Sequence, residues 1–271
     1  MTYDTLITDG KDFKLGHRQD PNTLTNVIKP GAYKLQFLRL ENTYNFVATD
    51  LTESFPRKLD SQVYRDVFDY INRFLKPSSI EKYKKWNMPH RTGILLHGKP
   101  GTGKTCLVKT LVQSLTDQGF ICLIDPPPAM VLNPLTHLRA VTKQSTPIIV
   151  IWEELETILE DNEPEILDLL DGLIQIQDII VVATTNYIDK IPDRIKKRPS
   201  RFAMVREISA PVIDERIEYI SLYLTDKGQI LEIADKTEGF VLDQIKHILI
   251  SMECLELSFE QAKEYAQASM E

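Results

Sequence analysis

The stretch Gly98-Lys99-Pro100-Gly101-Thr102-Gly103-Lys104-Thr105 lies between a short apolar run at 93–97 and the opening of a helical segment. Its glycines let the backbone curl until successive N–H groups point inward, and a helix beginning at the same place adds dipole charge that favours an anion. Every defined position of the phosphate-binding P-loop (Walker A) pattern is filled, in the strand-before, helix-after setting that pattern requires. Lys104 is then expected to reach the outer phosphates of a nucleotide, and the Thr105 hydroxyl to ligand magnesium. Cys106, directly after the loop, is grouped with these nucleotide-binding residues, although a small buried helix residue is its plainer reading.

Further apolar runs at 120–124, 148–152 and 179–183 alternate with helical segments. Such alternation argues for parallel strands joined by crossover helices and buried on both faces. The third run, Ile148-Ile149-Val150-Ile151-Trp152, ends in Glu153-Glu154, at the strand end where an α/β sheet presents groups to its ligand crevice. Two adjacent carboxylates can divide two tasks: Glu153 is expected to hold the magnesium shell and Glu154 to orient and polarise the attacking water. Glu156, two residues on, either serves structure or supports the site.

The rest of the chain divides around this motif. Residues 1–57 mix short apolar runs with turn signals at Asp9-Gly10, Asp20-Pro21 and Pro30-Gly31, and read as a small appended β-containing module. Within it, 33–40 and 44–48 form an expected hairpin through Glu41-Asn42-Thr43. From Asp60, helical spacing places Val63, Val67, Tyr70, Ile71 and Phe74 on one stripe before Pro77. Residues 58–210 thus form the expected α/β nucleotide-binding unit. Residues 211–271 read as a helical lid with segments near 213–224, 229–236, 241–256 and 258–269, the last opening with a capping box from Ser258 to Gln261.

Composition removes several other classes. Apolar residues at 42% and charged residues at 26% match ordinary globular chains and argue against disorder or repetition. The three cysteines, Cys106, Cys122 and Cys254, lack the close pairings of zinc or redox motifs, so free thiols are expected. No run of about 18 apolar residues occurs, and the first residues carry no secretory-signal pattern, so a cytoplasmic protein without membrane partners is expected. A net charge of −7 disfavours broad attraction to nucleic acid.

With the P-loop and acidic strand end read, the chain from about Asp60 to about Leu257 resembles the AAA clade of the AAA+ ATPases. Leu167-Asp168-Leu169-Leu170-Asp171-Gly172 looks like that clade's helix ending in Asp-Gly, after the Walker B strand. Val182-Ala183-Thr184-Thr185-Asn186 resembles its sensor strand, which implies Asn186 near the γ-phosphate and attacking water; an amide suits that place because it both donates and accepts. The segment from Ile191-Pro192-Asp193-Arg194 through Arg198-Pro199-Ser200-Arg201-Phe202 resembles the one carrying the arginine fingers. The resemblance therefore implies that Arg198 and Arg201 act on a neighbouring subunit's ATP.

Trp86-Asn87-Met88-Pro89-His90-Arg91-Thr92-Gly93-Ile94-Leu95-Leu96 and Thr184-Thr185-Asn186-Tyr187-Ile188-Asp189 look most like the mitochondrial Rieske-protein translocase (BCS-type) subfamily, though no counterpart of that subfamily's amino-terminal membrane anchor is expected among these residues. Glu153 stands where most AAA proteins place Asp. The segment Gly239-Phe240-Val241-Leu242-Asp243 loosely resembles the second sensor region, and Tyr219 and Leu242 are the residues assigned to the adenine pocket. In the stretch from Ile124 to Leu132, where protein-unfolding members carry a gripping aromatic, Met130 and Val131 offer apolar grip or merely pack. The resemblance implies an ATP- and Mg2+-dependent ATPase working as a homo-oligomeric, hexameric ring that remodels or translocates a protein client. The alternatives are a nucleic-acid-associated motor or loader and a slowly hydrolysing, nucleotide-gated ring.

Overall fold

The computed structural model describes residues 5–8, 12–16, 24–25, 27–38, 43–49, 61–128, 131–142, 146–171 and 178–268. Among the described residues five strands precede the first helix: β1 (Thr5–Thr8), β2 (Phe13–Gly16), β3 (Leu24–Thr25), β4 (Gly31–Leu38) and β5 (Thr43–Ala48). Helices α1 (Gln62–Phe74) and α2 (Pro77–Lys85) lead into β6 (Arg91–His97), α3 (Lys104–Asp117), β7 (Ile121–Ile124) and α4 (Leu132–Thr142). There follow β8 (Ile148–Trp152), α5 (Leu155–Asp171), β9 (Ile179–Thr185), α6 (Asp193–Lys196) and β10 (Met204–Glu207). Four helices close the chain: α7 (Ile213–Ile220), α8 (Lys227–Lys236), α9 (Leu242–Leu255) and α10 (Phe259–Ala268). No helix among the described residues is long and apolar enough to cross a membrane.

The four expected apolar runs are β6 to β9, and they pair in parallel in the order β6-β9-β8-β7. Alternate side chains of each strand go to opposite faces, as a pleated strand demands. Leu95, Leu123, Val150 and Val181 join one core cluster, while Ile94, Leu96, Cys122, Ile151 and Val182 join the other. Helices α1 and α3 cover the second face, and α4 and α5 the first. This is the expected α/β architecture of a P-loop sheet flanked by helices. The short β10, too brief and too charged to stand out in sequence, adds a parallel edge beside β6.

The first residues depart from the expectation of an appended module. The hairpin is present as β4 and β5, antiparallel with Leu35 opposite Phe46. Yet β4 also pairs in parallel with β7, matching Gly31 to Ile121 and Tyr33 to Leu123, so β4, β5, β2, β1 and β3 extend the same sheet to ten strands. Phe13, Leu15, Tyr33 and Phe46 share the core cluster of Leu95 and Val150. The physical reason is the open edge of β7, whose unpaired backbone groups accept another strand. Of the turn signals, Asp9-Gly10 and Asp20-Pro21 lie outside the described residues.

In α1 the Ser61 side chain caps the helix by accepting the Tyr64 N–H at 3.2 Å. The buried stripe is Tyr64, Val67, Ile71 and Phe74, whereas Val63 and Tyr70 from the expected stripe are only half-buried. Full burial of side chains such as Val67 and Ile71 stabilises by about 1.5–3 kcal/mol each. The four last helices have a core of their own, including Ile220, Ile233, Ile245, Ile248 and Ala266. The Ser258–Gln261 box forms in both directions, with Ser258 N–H to Gln261 Oε1 at 3.1 Å and Gln261 N–H to Ser258 Oγ at 3.4 Å.

Candidate nucleotide site

Three neighbouring strands, β6, β9 and β8, end at the same edge of the sheet, and their carboxyl ends carry the loop 98–105, Asn186 and Glu153-Glu154 respectively. The loop keeps its shape through glycine. Gly103 has φ +98°, and a Cβ at Gly98 would lie 2.1 Å from the Ile208 carbonyl oxygen. Only glycine accepts both demands without displacing backbone.

Lys104, in the first turn of α3, is buried, and its Nζ donates to the Gly98 and Lys99 carbonyls at 2.7 and 2.8 Å. Burial lowers the Lys104 ammonium from its ordinary value, while the Glu156, Glu153 and Glu154 carboxylates push it back up. Thr105 donates its hydroxyl to Glu153 Oε2, so the loop and the acidic strand end are in direct contact. Burial raises the Glu153 carboxyl above its usual range, against the Thr105 hydrogen bond. Glu153 N–H in turn donates to Asp125 Oδ1 at 2.9 Å.

Glu154 adopts φ +52°, and Asp125 across from it φ +44°. Left-handed backbone at non-glycine residues costs on the order of 1–3 kcal/mol and gathers at sites where a side chain must be aimed. The Glu154 N–H is held by Thr184 Oγ1 at 3.4 Å, and the Asn186 N–H by Glu156 Oε1 at 3.1 Å. The acidic strand end is thereby tied to β9 at both residues. Asp125 and Thr184 were not singled out as site residues from sequence; their one local signal was a polar residue closing an apolar strand.

A cavity of about 470 Å³ opens over the loop, lined by Pro100, Gly101, Gly103, Lys104, Thr105, Cys106 and Asn186 and, from α7 and α9, Tyr219, Leu242, Asp243 and Lys246. A second, of about 230 Å³, lies behind Thr102, Gly103 and Cys106 and reaches Ser61, Val63, Ile208, Val212, Glu215 and Leu242. Leu242 lines both cavities and Tyr219 only the first. Helix α9 touches the loop directly, Asp243 N–H donating to the Gly101 carbonyl at 3.1 Å. Cys106 is half-buried in both walls, and burial raises its thiol above the ordinary value.

The two arginines of the finger-like segment differ. Arg198 is exposed. Arg201 is buried, and all three of its guanidinium nitrogens are engaged within the chain, two with Asp171 and one with the Arg194 carbonyl. The Arg201 expected to reach a neighbour is instead engaged within its own chain, because Asp171 offers a two-oxygen partner at the end of α5. Gly172 of the Asp-Gly pattern and Met130 of the central stretch lie outside the described residues, while Val131 is fully buried and packs.

A polyphosphate fits these residues on two structural grounds. Gly101 and Gly103 both have positive φ, and a Cβ at either would meet a side chain of the 241–243 segment at about 3 Å, so the loop keeps its curled backbone only with glycine. The paired Thr105 hydroxyl and Glu153 carboxylate form a hard-oxygen donor set of the kind magnesium takes alongside phosphate. Among the described residues no three His, Cys, Asp or Glu side chains converge as they would for a metal held by protein alone.

Comparison with known proteins agrees with this geometry. Residues 94–210 match the family model described as "ATPase family associated with various cellular activities (AAA)". A proteasome-activating nucleotidase from Methanosphaerula palustris is 26% identical over 85% of this chain and 64% of its own length. A cell division cycle protein 48 homolog from Archaeoglobus fulgidus is 30% identical over 59% of this chain and 25% of its own. An "AAA ATPase forming ring-shaped complexes" from Bifidobacterium adolescentis is 27% identical over 54% of this chain and 34% of its own. The chain thus spans from a quarter to about two thirds of the length of these relatives.

Proposed function

We propose, from the AAA ATPase domain that residues 94–210 carry, that this chain binds ATP with Mg2+ and hydrolyses it as a subunit of a homo-oligomeric, hexameric ring. The observation that carries this reading is the Thr105–Glu153 contact, which joins the phosphate loop to the acidic strand end beneath a cavity shared with the lid. In this reading 58–210 is the nucleotide-binding unit and 211–271 the lid. The amides of Gly101 to Thr105 cradle the phosphates, and Lys104 leaves the Gly98 and Lys99 carbonyls to meet the outer ones. Thr105 and Glu153 are the residues that would hold magnesium, which would supply neutralisation of phosphate charge.

Glu154 accepts the proton of the attacking water, and its strained backbone supports that aim. Asn186 donates its amide toward the terminal phosphoryl group. Arg198, exposed, extends to the ATP of the next subunit, and Arg201 with Asp171 holds the segment from which it extends.

Remodelling or translocation of a protein client, in the cytoplasm, completes the proposal. The name of the proteasome-activating nucleotidase supports a protein client and that of the ring-forming relative supports a ring, and the spelling of 86–96 and 184–189 supports a place near the Rieske-protein translocase subfamily. The test is calorimetric titration with Mg2+-ATP, phosphate release with and without unfolded protein, DNA or RNA, and electron microscopy of the nucleotide-bound material. Uptake of nucleotide, turnover stimulated by unfolded protein, and closed rings are expected. Absence of nucleotide binding sinks the whole reading; stimulation by nucleic acid alone replaces the client.

A further inference from the structure

Glu156 stands in the first turn of α5, three residues beyond Glu153, and is only 9% exposed. Its Oε1 accepts the Asn186 N–H at 3.1 Å. Its Oε2 is buried and has no hydrogen-bond partner among the described residues. An orphaned buried acceptor loses its hydration with nothing to replace it, a larger loss when it carries charge. Anchoring Asn186 does not account for that cost, since a glutamine could accept the same N–H through its amide oxygen with no charge to desolvate.

The charge has an electrostatic counterpart in Lys104. Of the three acids that favour the charged form of this buried lysine, Glu156 exerts the largest influence, ahead of Glu153 and Glu154. The hydrogen-bond partners of the Lys104 ammonium are the neutral carbonyls of Gly98 and Lys99. Glu156 therefore bonds to the backbone beyond the β9 strand end at Asn186 and acts through space on Lys104 of the loop.

We propose that Glu156 is a positioning residue of the nucleotide site: one oxygen fixes the backbone of Asn186, and the other, buried without a hydrogen-bond partner, acts through space on the loop that carries Lys104. The proposal rests on the ATP-hydrolysing reading and adds to it a third acid with neither metal nor water to hold. Stability is given up at Glu156 so that one carboxylate sets both the amide and the ammonium that face the terminal phosphate.

The test compares the full chain with Glu156→Gln and Glu156→Asp by thermal melting, by affinity for a fluorescent ATP analogue with Mg2+, and by kcat and KM for ATP. For Glu156→Gln the melting temperature is expected to equal or exceed that of the wild type, analogue affinity to stay within about threefold, and kcat to fall about tenfold or more with KM little changed. Glu156→Asp keeps the charge on a shorter arm and is expected to recover part of the lost kcat. Unchanged kcat in Glu156→Gln, a lowered melting temperature with proportionate loss of binding, or an Asp variant no better than Gln would each overturn the proposal. Wild-type protein without turnover removes the ATPase reading and this inference together, whereas wild-type turnover matched by Glu156→Gln removes the inference alone.

Discussion

Arg201 and Asp171 face each other as a two-pronged ion pair, Nε donating to Oδ1 and Nη2 to Oδ2, each at 2.5 Å, with Arg201 6% exposed. A second pair, Arg194 to Glu163 at 2.8 and 2.7 Å, joins the same segment to the same helix, but at the surface. Both partners lie on α5 beyond its irregular turn at Asn162, where Pro164 interrupts the helix. Helix α5 starts directly after Glu153-Glu154, so one helix connects the acidic strand end to the arginine-bearing segment.

Breaking the buried pair should destabilise the protein. Arg201→Met leaves Asp171 without its partner, and a loss of about 1–3 kcal/mol, visible as a melting temperature lowered by several degrees, is expected. Arg194→Met, at an exposed pair, should change stability by about 0–1 kcal/mol. Equal effects from the two would show that burial does not decide between them.

The same pair predicts a pH dependence. The Arg201 guanidinium holds the Asp171 carboxyl below its usual range, so the pair's contribution is complete above the unfolded carboxylate value of about 3.9 and is lost as pH falls through the lower folded value. The difference in melting temperature between wild type and Asp171→Asn should be constant from pH 7 to about 5 and shrink below about 4. A difference that vanished near neutral pH would contradict the pairing.

Replacing residues of the cradle should separate binding from chemistry. Lys104→Ala removes the charge that meets the phosphates and should weaken ATP binding at least about tenfold in calorimetry. Glu154→Gln should retain binding while turnover drops by about 10²-fold or more. Normal phosphate release by Glu154→Gln would take the water-activating role away from that residue.

Glycine at 103 is required twice over. Gly103→Ala forces an L side chain into φ +98° with Leu242 Cδ1 at 2.9 Å, so nucleotide affinity should fall while the α/β core still melts cooperatively. A variant that binds ATP like the wild type would show that the loop relaxes without cost.

Arg198→Ala should leave stability and ATP affinity unchanged and lower turnover only through the neighbouring site. Mixing it with Lys104→Ala subunits tests this, because mixed rings contain sites whose own lysine and neighbouring Arg198 are both intact. Activity that rises on mixing above either pure population is the expected outcome; wild-type rates in pure Arg198→Ala would refute action in trans.

Much of the fold was legible from local chemistry. The loop 98–105 and the runs that became β6 to β9 stood out because sharp backbone demands and double-sided burial each leave a residue pattern. β10 did not, since Met204-Val205-Arg206-Glu207 is short, half-charged and an edge strand. On α1 the helix was evident while its buried face was offset toward Tyr64, because a stripe of apolar residues does not say which of its margins meets the sheet. At the candidate site, Lys104, Thr105, Glu153, Glu154 and Asn186 were expected from motif and resemblance, whereas Asp125 and Thr184 emerged only as the hydrogen-bond partners of Glu153 and Glu154.

The amino-acid order by itself determined the glycine-rich loop, the strand–helix alternation and the helical character of the last segments, because each follows from interactions within a few residues. Only the tertiary structure decided that β4 lies on β7, that Arg201 turns to Asp171 rather than outward, and that Glu156 joins Asn186 across 30 residues. Those pairings are choices among distant partners of similar chemistry. They are settled by which sheet edge is open and which carboxylate comes within reach once the core has packed, a competition that no local pattern records.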